Sequence, residues 1–208
     1  MAGATDIRSR LLDFGFTEEF SGDGHPPAAH YCLGGDHAGF YAEFLTPLTG
    51  GEYDRKQRRR TTTEIAGAST QQLRHVELLL HRPWSVDLEH RGLAVRVRIP
   101  NPVAFLAQKI LIHAQRQPLD RAKDILYMRD TLEVFGARLP ALGDLWRSEV
   151  AGHLRKRQLS TVSRASRKIF GDVNDDIRRA AEISRGRALS PEEIRLACHR
   201  NLTQLFGA

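Results

Sequence analysis

Apolar positions change their spacing at Pro100, and that change predicts the architecture. Before it the spacing is mostly two. In "LAVRVRIP", Val95, Val97 and Ile99 alternate with Arg96 and Arg98, a strand pattern, and "WSVDLEH" supplies its partner. Two earlier runs, "AHYCL" (29–33) and "AGFYAEFLTPL" (38–48), read as strands joined by "GGDH", where Gly34 and Gly35 tolerate positive φ. A short helix is expected from Asp6 to Phe14, ended by Gly15, with turn chemistry in "SGDGHPPA" (21–28). The spacing of Leu73, Val76 and Leu78–Leu80 predicts a helix over 70–81. All strands are thus expected within 29–100.

Beyond Pro100 the period becomes helical. Asn101 is a cap and Pro102 suits the first helical position; Val103, Leu106, Ala107, Ile110, Leu111 and Ala114 then fall on one stripe that should be buried. Stops are expected near Pro118, Gly136, Gly171 and Gly186. The last helix is announced by Ser190, Pro191 and Glu193. Residues 101–206 should be almost wholly helical. The fold class is therefore α+β: a small mixed or antiparallel sheet with flanking helices, then an all-helical C-terminal half. The domains are expected at 1–100 and 101–208.

Charge adds detail to this frame. Lys109 and Arg116 lie seven residues apart, nearly in line and off the apolar stripe. In the following helix Ile125, Leu126, Arg129 and Leu132 share a stripe, with Asp124 beside Met128 at its edge. A carboxylate so placed is expected to meet a cation, Lys109 or Arg116, on the facing helix. The chain of 208 residues carries a net charge of +6, and residues 151–208 hold 12 Lys and Arg against 6 Asp and Glu. A second concentration is "RKQRRR", with Arg55, Lys56, Arg58, Arg59 and Arg60 as candidate nucleic-acid contacts. Such runs suit phosphate-rich partners through counterion release. No apolar run reaches about 18 residues and no signal-peptide core is visible, so no membrane role is expected. The two cysteines suit a reducing interior and a cytoplasmic address.

The segment "VRIPNPVAFLAQKILIHAQR" followed by "RAKDILYMRDTLEVF", with "YAEFLTPL" upstream, resembles the nucleotidyltransferase-fold proteins of the DNA polymerase β-like superfamily. The resemblance covers roughly residues 40–135 and is nearest to the bacterial group that includes the AbiE-type toxins. It implies transfer of a nucleotide from an NTP to a protein or tRNA acceptor by two-metal chemistry. In that chemistry an Asp-x-Asp pair after a glycine-bearing turn, with a third carboxylate on a neighbouring strand, holds Mg²⁺. By the same resemblance Glu43 is the candidate catalytic and metal-binding third carboxylate. Lys109 and Arg116 would contact phosphates, and Lys123 and Asp124 would shape the site. The acidic pair itself departs from the pattern. Gly34-Gly35-Asp36 is followed by Ala38, and Asp6 by Arg8. The resemblance then implies either a chain that starts after the acidic motif or a branch that lost it. The alternative function is a non-catalytic module that holds RNA or an acidic partner on its basic helices. A metal at His30, Cys32 and His37 follows no usual zinc spacing. Cys198-His199 is adjacent rather than stacked, and no phosphate-binding glycine loop or nucleophile elbow occurs.

Overall fold

A computed structural model describes residues 6–21, 28–34, 40–51, 53 and 62–207. Contacts divide the chain into Met1–Glu77 and Leu78–Ala208.

In the first unit, α1 (Ile7–Asp13) starts at Asp6, whose Oδ1 accepts the Arg8 amide at 3.1 Å, and is followed by Gly15 at φ +85°. Three antiparallel strands form one sheet in the order β1 (Phe16–Ser21), β2 (Ala28–Leu33), β3 (Phe40–Glu43). A second sheet runs β4 (Leu45–Pro47), β6 (Ala68–Leu73), β5 (Thr62–Ile65), with β4 parallel and β5 antiparallel to the central strand. The β5–β6 turn uses Ala66 and Gly67, both at positive φ. The Ile7 amide donates to Ala66 O at 3.0 Å. A Cβ on Gly67 would stand only 2.0 Å from Asp6 Oδ1, so only glycine lets the turn approach that cap. The small core is Ala29, Tyr31 and Ala68, with Ile7, Leu11, Phe16, Ala42 and Phe44 packed on it. Tyr31 donates to Glu18 at 3.1 Å, and Arg8 grips the same carboxylate at 2.7 Å. Burial, with the Glu18 contact second, pushes the phenol up to about 12.

Three expectations fail in this unit. β1 precedes residue 29, so strands are not confined to 29–100. The run 38–48 breaks around Phe44 into β3 and β4, which join different sheets. Residues 70–81 are not one helix: β6 extends to Leu73, His75 turns the chain at φ +64°, and only α2 (Val76–Leu79) is helical. Ala68 and Thr70 are buried with Ser69 between them, and ladder bonds from both neighbouring strands outweigh the local leucine spacing. Gly34 takes the expected positive φ, +89°. The rest of the "GGDH" turn, with Asp36 and His37, and the run Arg55, Lys56, Arg58, Arg59 and Arg60 lie outside the described residues.

The second unit opens with the expected hairpin, β7 (Trp84–His90) and β8 (Leu93–Ile99), turned by Arg91 and Gly92 at φ +50° and +78°. Trp84 meets Phe135 edge-on, ring centroids 5.6 Å apart. Helices then follow: α3 (Pro102–Ile112), α4 (Pro118–Val134), α5 (Leu139–Leu145), a π-turn (Trp146–Val150), α6 (Lys156–Phe170), α7 (Asp175–Ile183) and α8 (Pro191–Phe206). Asn101 is buried. Its Oδ1 accepts the Ala104 amide at 2.8 Å, and its Nδ2 donates to His81 O and Arg82 O at 3.0 and 3.2 Å. One side chain thus caps α3 and ties down the loop before β7. Ser190 and Glu193 form the expected reciprocal cap on α8. The apolar stripe of α3 is buried from Val103 to Leu111, but Ala114 is exposed. The last turn tightens into a 3₁₀ helix, His113–Gln115, which turns His113 inward instead. Among the described residues no helix is long and apolar enough to cross a membrane.

Candidate functional site

The helical hairpin α3–α4 places a carboxylate where water scarcely reaches. Asp124 is 1% exposed, and Lys109 Nζ meets its Oδ1 at 2.7 Å. Arg116 Nε stands 3.4 Å from Oδ2, a charge contact that leaves this oxygen without a hydrogen bond among the described residues. Arg116 also reaches Asp120 at 3.8 Å. The Lys109 ammonium lies 5.5 and 5.6 Å from the ring centres of Phe105 and Tyr127, and its side chain is 16% exposed. Two rings and a carboxylate therefore enclose it, with the negative ring faces adding to the attraction. Both cations that spacing set off the apolar stripe face the same buried anion.

A second knot adjoins through α7. Arg121 Nε and His113 Nε2 both approach Asp176 Oδ2, at 2.9 and 3.4 Å. Burial pulls the His113 imidazole below its usual range, and Asp176 offsets this in part. Its Nδ1 has no hydrogen-bond partner among the described residues. Asp176 follows the Asn174 cap, in the first turn of α7. Sequence reading missed it because its partners lie more than fifty residues earlier. Lys123 is exposed on α4, turned away from the Asp124 side. The α3–α4 group thus brings Lys109, Arg116 and Asp124 together and leaves Lys123 outside the knot.

Glu43 occupies the last position of β3, opposite His30 of β2. Alternation puts both on the sheet face opposite Tyr31 and Ala42. Its Oε1 is 3.9 Å from His30 Nε2 and the side chain is 26% exposed. Cys32 and Tyr41 share this face, and the His30 and Tyr41 rings lie 5.3 Å apart. Glu19 stands on the far side of His30 in β1, two strand spacings from Glu43, about 9–10 Å between backbones. Two carboxylates that far apart, with an imidazole between them, do not fit a Mg²⁺ pair, which needs converging oxygens at about 2.0–2.1 Å. Among the described residues no group of three or more His, Cys, Asp or Glu side chains is placed to hold a metal.

A family model described as nucleotidyltransferase matches residues 3–151. The chain belongs to this nucleotidyltransferase family. The match spans both small sheets with Glu43, the hairpin β7–β8, and helices α3 to α5 with Lys109, Arg116 and Asp124. It ends before α6, so α6, α7 and α8, with Asp176, lie beyond it. No curated protein and no solved structure matches the chain. Family membership implies an NTP as substrate.

Proposed function

We propose that this chain moves a nucleotide from an NTP to a macromolecular acceptor, a tRNA or a protein, as a branch akin to the AbiE-type group. The observation that supports the reading is the family match across residues 3–151, which takes in Glu43 and the Lys109–Asp124 pair. In this reading Lys109 and Arg116 are the phosphate contacts, and Asp124 holds both in place until phosphate competes for them. Lys123 adds charge on the exposed side of α4, and Glu43 keeps the metal-binding role that the family resemblance gives it. Each charge-assisted hydrogen bond to a phosphate contributes roughly 1.5–3 kcal/mol, so losing one cation should weaken binding about tenfold or more.

A second reading, a non-catalytic binding module that has lost the acidic pair, is favoured by one observation. Among the described residues the group beside Glu43 is the His30 imidazole and not a second carboxylate. Calorimetric titration of each NTP, with and without Mg²⁺, separates the readings when run on wild type and Lys109→Ala beside a label-transfer assay with tRNA and protein acceptors. Mg²⁺-dependent binding, lost in Lys109→Ala, together with label transfer supports the enzyme. Weak Mg²⁺-insensitive binding without transfer supports the module. No binding by wild type, with Lys109→Ala only melting lower, makes the hairpin scaffolding and ends the transferase reading.

A further inference from the structure

Helix α6 carries six exposed cations, Arg155, Lys156, Arg157, Arg164, Arg167 and Lys168, counting its N-cap. No acid occurs between Glu149 and Asp172. Several arginines elsewhere in this unit have carboxylate partners, among them Arg121 with Asp176, Arg178 with Asp175 and Arg195 with Glu192. None of the six on α6 makes an ion pair with a described residue. Positions 157, 164 and 168 are separated by seven and four, so they line one stripe, with Arg164 to Lys168 spanning about 6 Å of helix. Like charges at that spacing repel and cost the helix stability. Among the described residues the stripe is unneutralised, which suits an anion from outside the chain.

The apolar side of α6 narrows the choice of anion. Val162, Ile169 and Phe170 are buried in the core of the unit, so no apolar face remains to enter a lipid surface. No aromatic residue interleaves the stripe, which excludes a base-stacking platform and points to a sugar-phosphate backbone. Ser160 and Thr161 sit within the stripe. Their hydroxyls donate to Arg157 O at 3.0 and 2.8 Å, so each spends its hydrogen on the helix and presents lone pairs outward. An outward acceptor among cations is unfavourable toward phosphate, which has no hydrogen to give. It is favourable toward a ribose 2′-hydroxyl, which DNA lacks.

We propose that the stripe of Arg157, Ser160, Thr161, Arg164 and Lys168 on α6 is a docking surface for the backbone of structured RNA. It lies beyond the family match, and it rests on the transfer reading only in one respect: if that reading holds, RNA is the acceptor class. Binding itself requires no NTP.

The test uses the full chain, fluorescence anisotropy, and an RNA hairpin beside a DNA hairpin of the same sequence, at several salt concentrations. Wild type is expected to bind RNA more tightly than DNA, with affinity falling as salt rises. The R157Q/R164Q/K168Q variant should lose about tenfold or more, and its salt slope should fall by roughly 2–3, at about 0.7–0.9 per phosphate contact removed. The charge-preserving R157K/R164K variant should keep the slope. Ser160→Ala with Thr161→Val should not weaken DNA binding and should remove the preference for RNA. All five substituted side chains, Arg157, Ser160, Thr161, Arg164 and Lys168, are exposed or partly so, and unchanged melting confirms the fold. Equal binding of RNA and DNA by wild type overturns the RNA assignment. Competition by polyglutamate as strong as by RNA overturns it in favour of an acidic protein. Wild-type affinity in the triple variant overturns the surface itself. RNA binding through α6 without nucleotide transfer leaves this inference standing while the transfer reading fails. Transfer to a non-RNA acceptor without RNA binding does the reverse.

Discussion

Lys109→Met removes the ammonium that holds Asp124 while keeping an unbranched apolar stem between Phe105 and Tyr127. Asp124 is 1% exposed and its Oδ1 loses a 2.7 Å contact. Stripping one partner from a buried ion pair costs about 3–5 kcal/mol, because the remaining charge stays desolvated and unpaired. Arg116, 3.4 Å from the other oxygen, remains and recovers part of that loss, so the net cost is expected near 2–3 kcal/mol. For a chain of this size each kcal/mol lowers the melting temperature by roughly 2–4 °C, which puts the shift at roughly 4–12 °C. Asp124→Leu alone should cost less, since it leaves Lys109 able to reach water. The double variant should be more stable than the sum of the single effects, because it buries no unpaired charge. Urea denaturation followed by circular dichroism at the helical band gives all four corners of this cycle. A cost below about 0.5 kcal/mol for Lys109→Met, or strict additivity in the cycle, would refute the claim that Asp124 depends on this pair.

His113 has its pKa lowered by burial, so the folded state resists the proton that the unfolded chain accepts below its ordinary value of 6.5. Stability is then full above pH 6.5 and falls as pH drops through that value toward the lower folded one. His113→Gln should flatten this fall in denaturant melts between pH 7 and pH 5, the window in which the unfolded chain takes up its proton. Gly67→Ala combines a φ of +76° with a Cβ driven onto the Asp6 cap. It should destabilise the first unit by about 1–2 kcal/mol, seen as faster proteolysis of β5–β6 and α1 with the helical unit unaffected. Cys198 is buried and its thiol is pushed up to about 12 by desolvation. It should resist alkylation in the folded protein at neutral pH and react only with unfolding; rapid labelling of Cys198 under native conditions would contradict its placement.

What could be read along the chain was whatever short-range chemistry decides. Asn101-Pro102 and Ser190-Pro191 with Glu193 start helices because a cap is settled within four residues by backbone amides seeking acceptors. The alternation of Val95, Val97 and Ile99, with "WSVDLEH" as partner run, specifies a hairpin for the same local reason. Asp124 was legible as a carboxylate in need of a cation, and Lys109 and Arg116 both answer it. The strand at 68–73 was not legible, because its backbone bonds come from β4 and β5, up to some twenty-six residues upstream, while Leu73 keeps a helical spacing with Val76 and Leu78–Leu80 beyond it. Nor was the break at Phe44, which sends β3 and β4 to different sheets, or the inward turn of His113 in place of Ala114. Asp176 joins Arg121 and His113 only when α7 returns against α4. Caps and periods are decided by neighbours along the chain; partners are decided by chain closure, and only the folded structure brings those residues within hydrogen-bond reach.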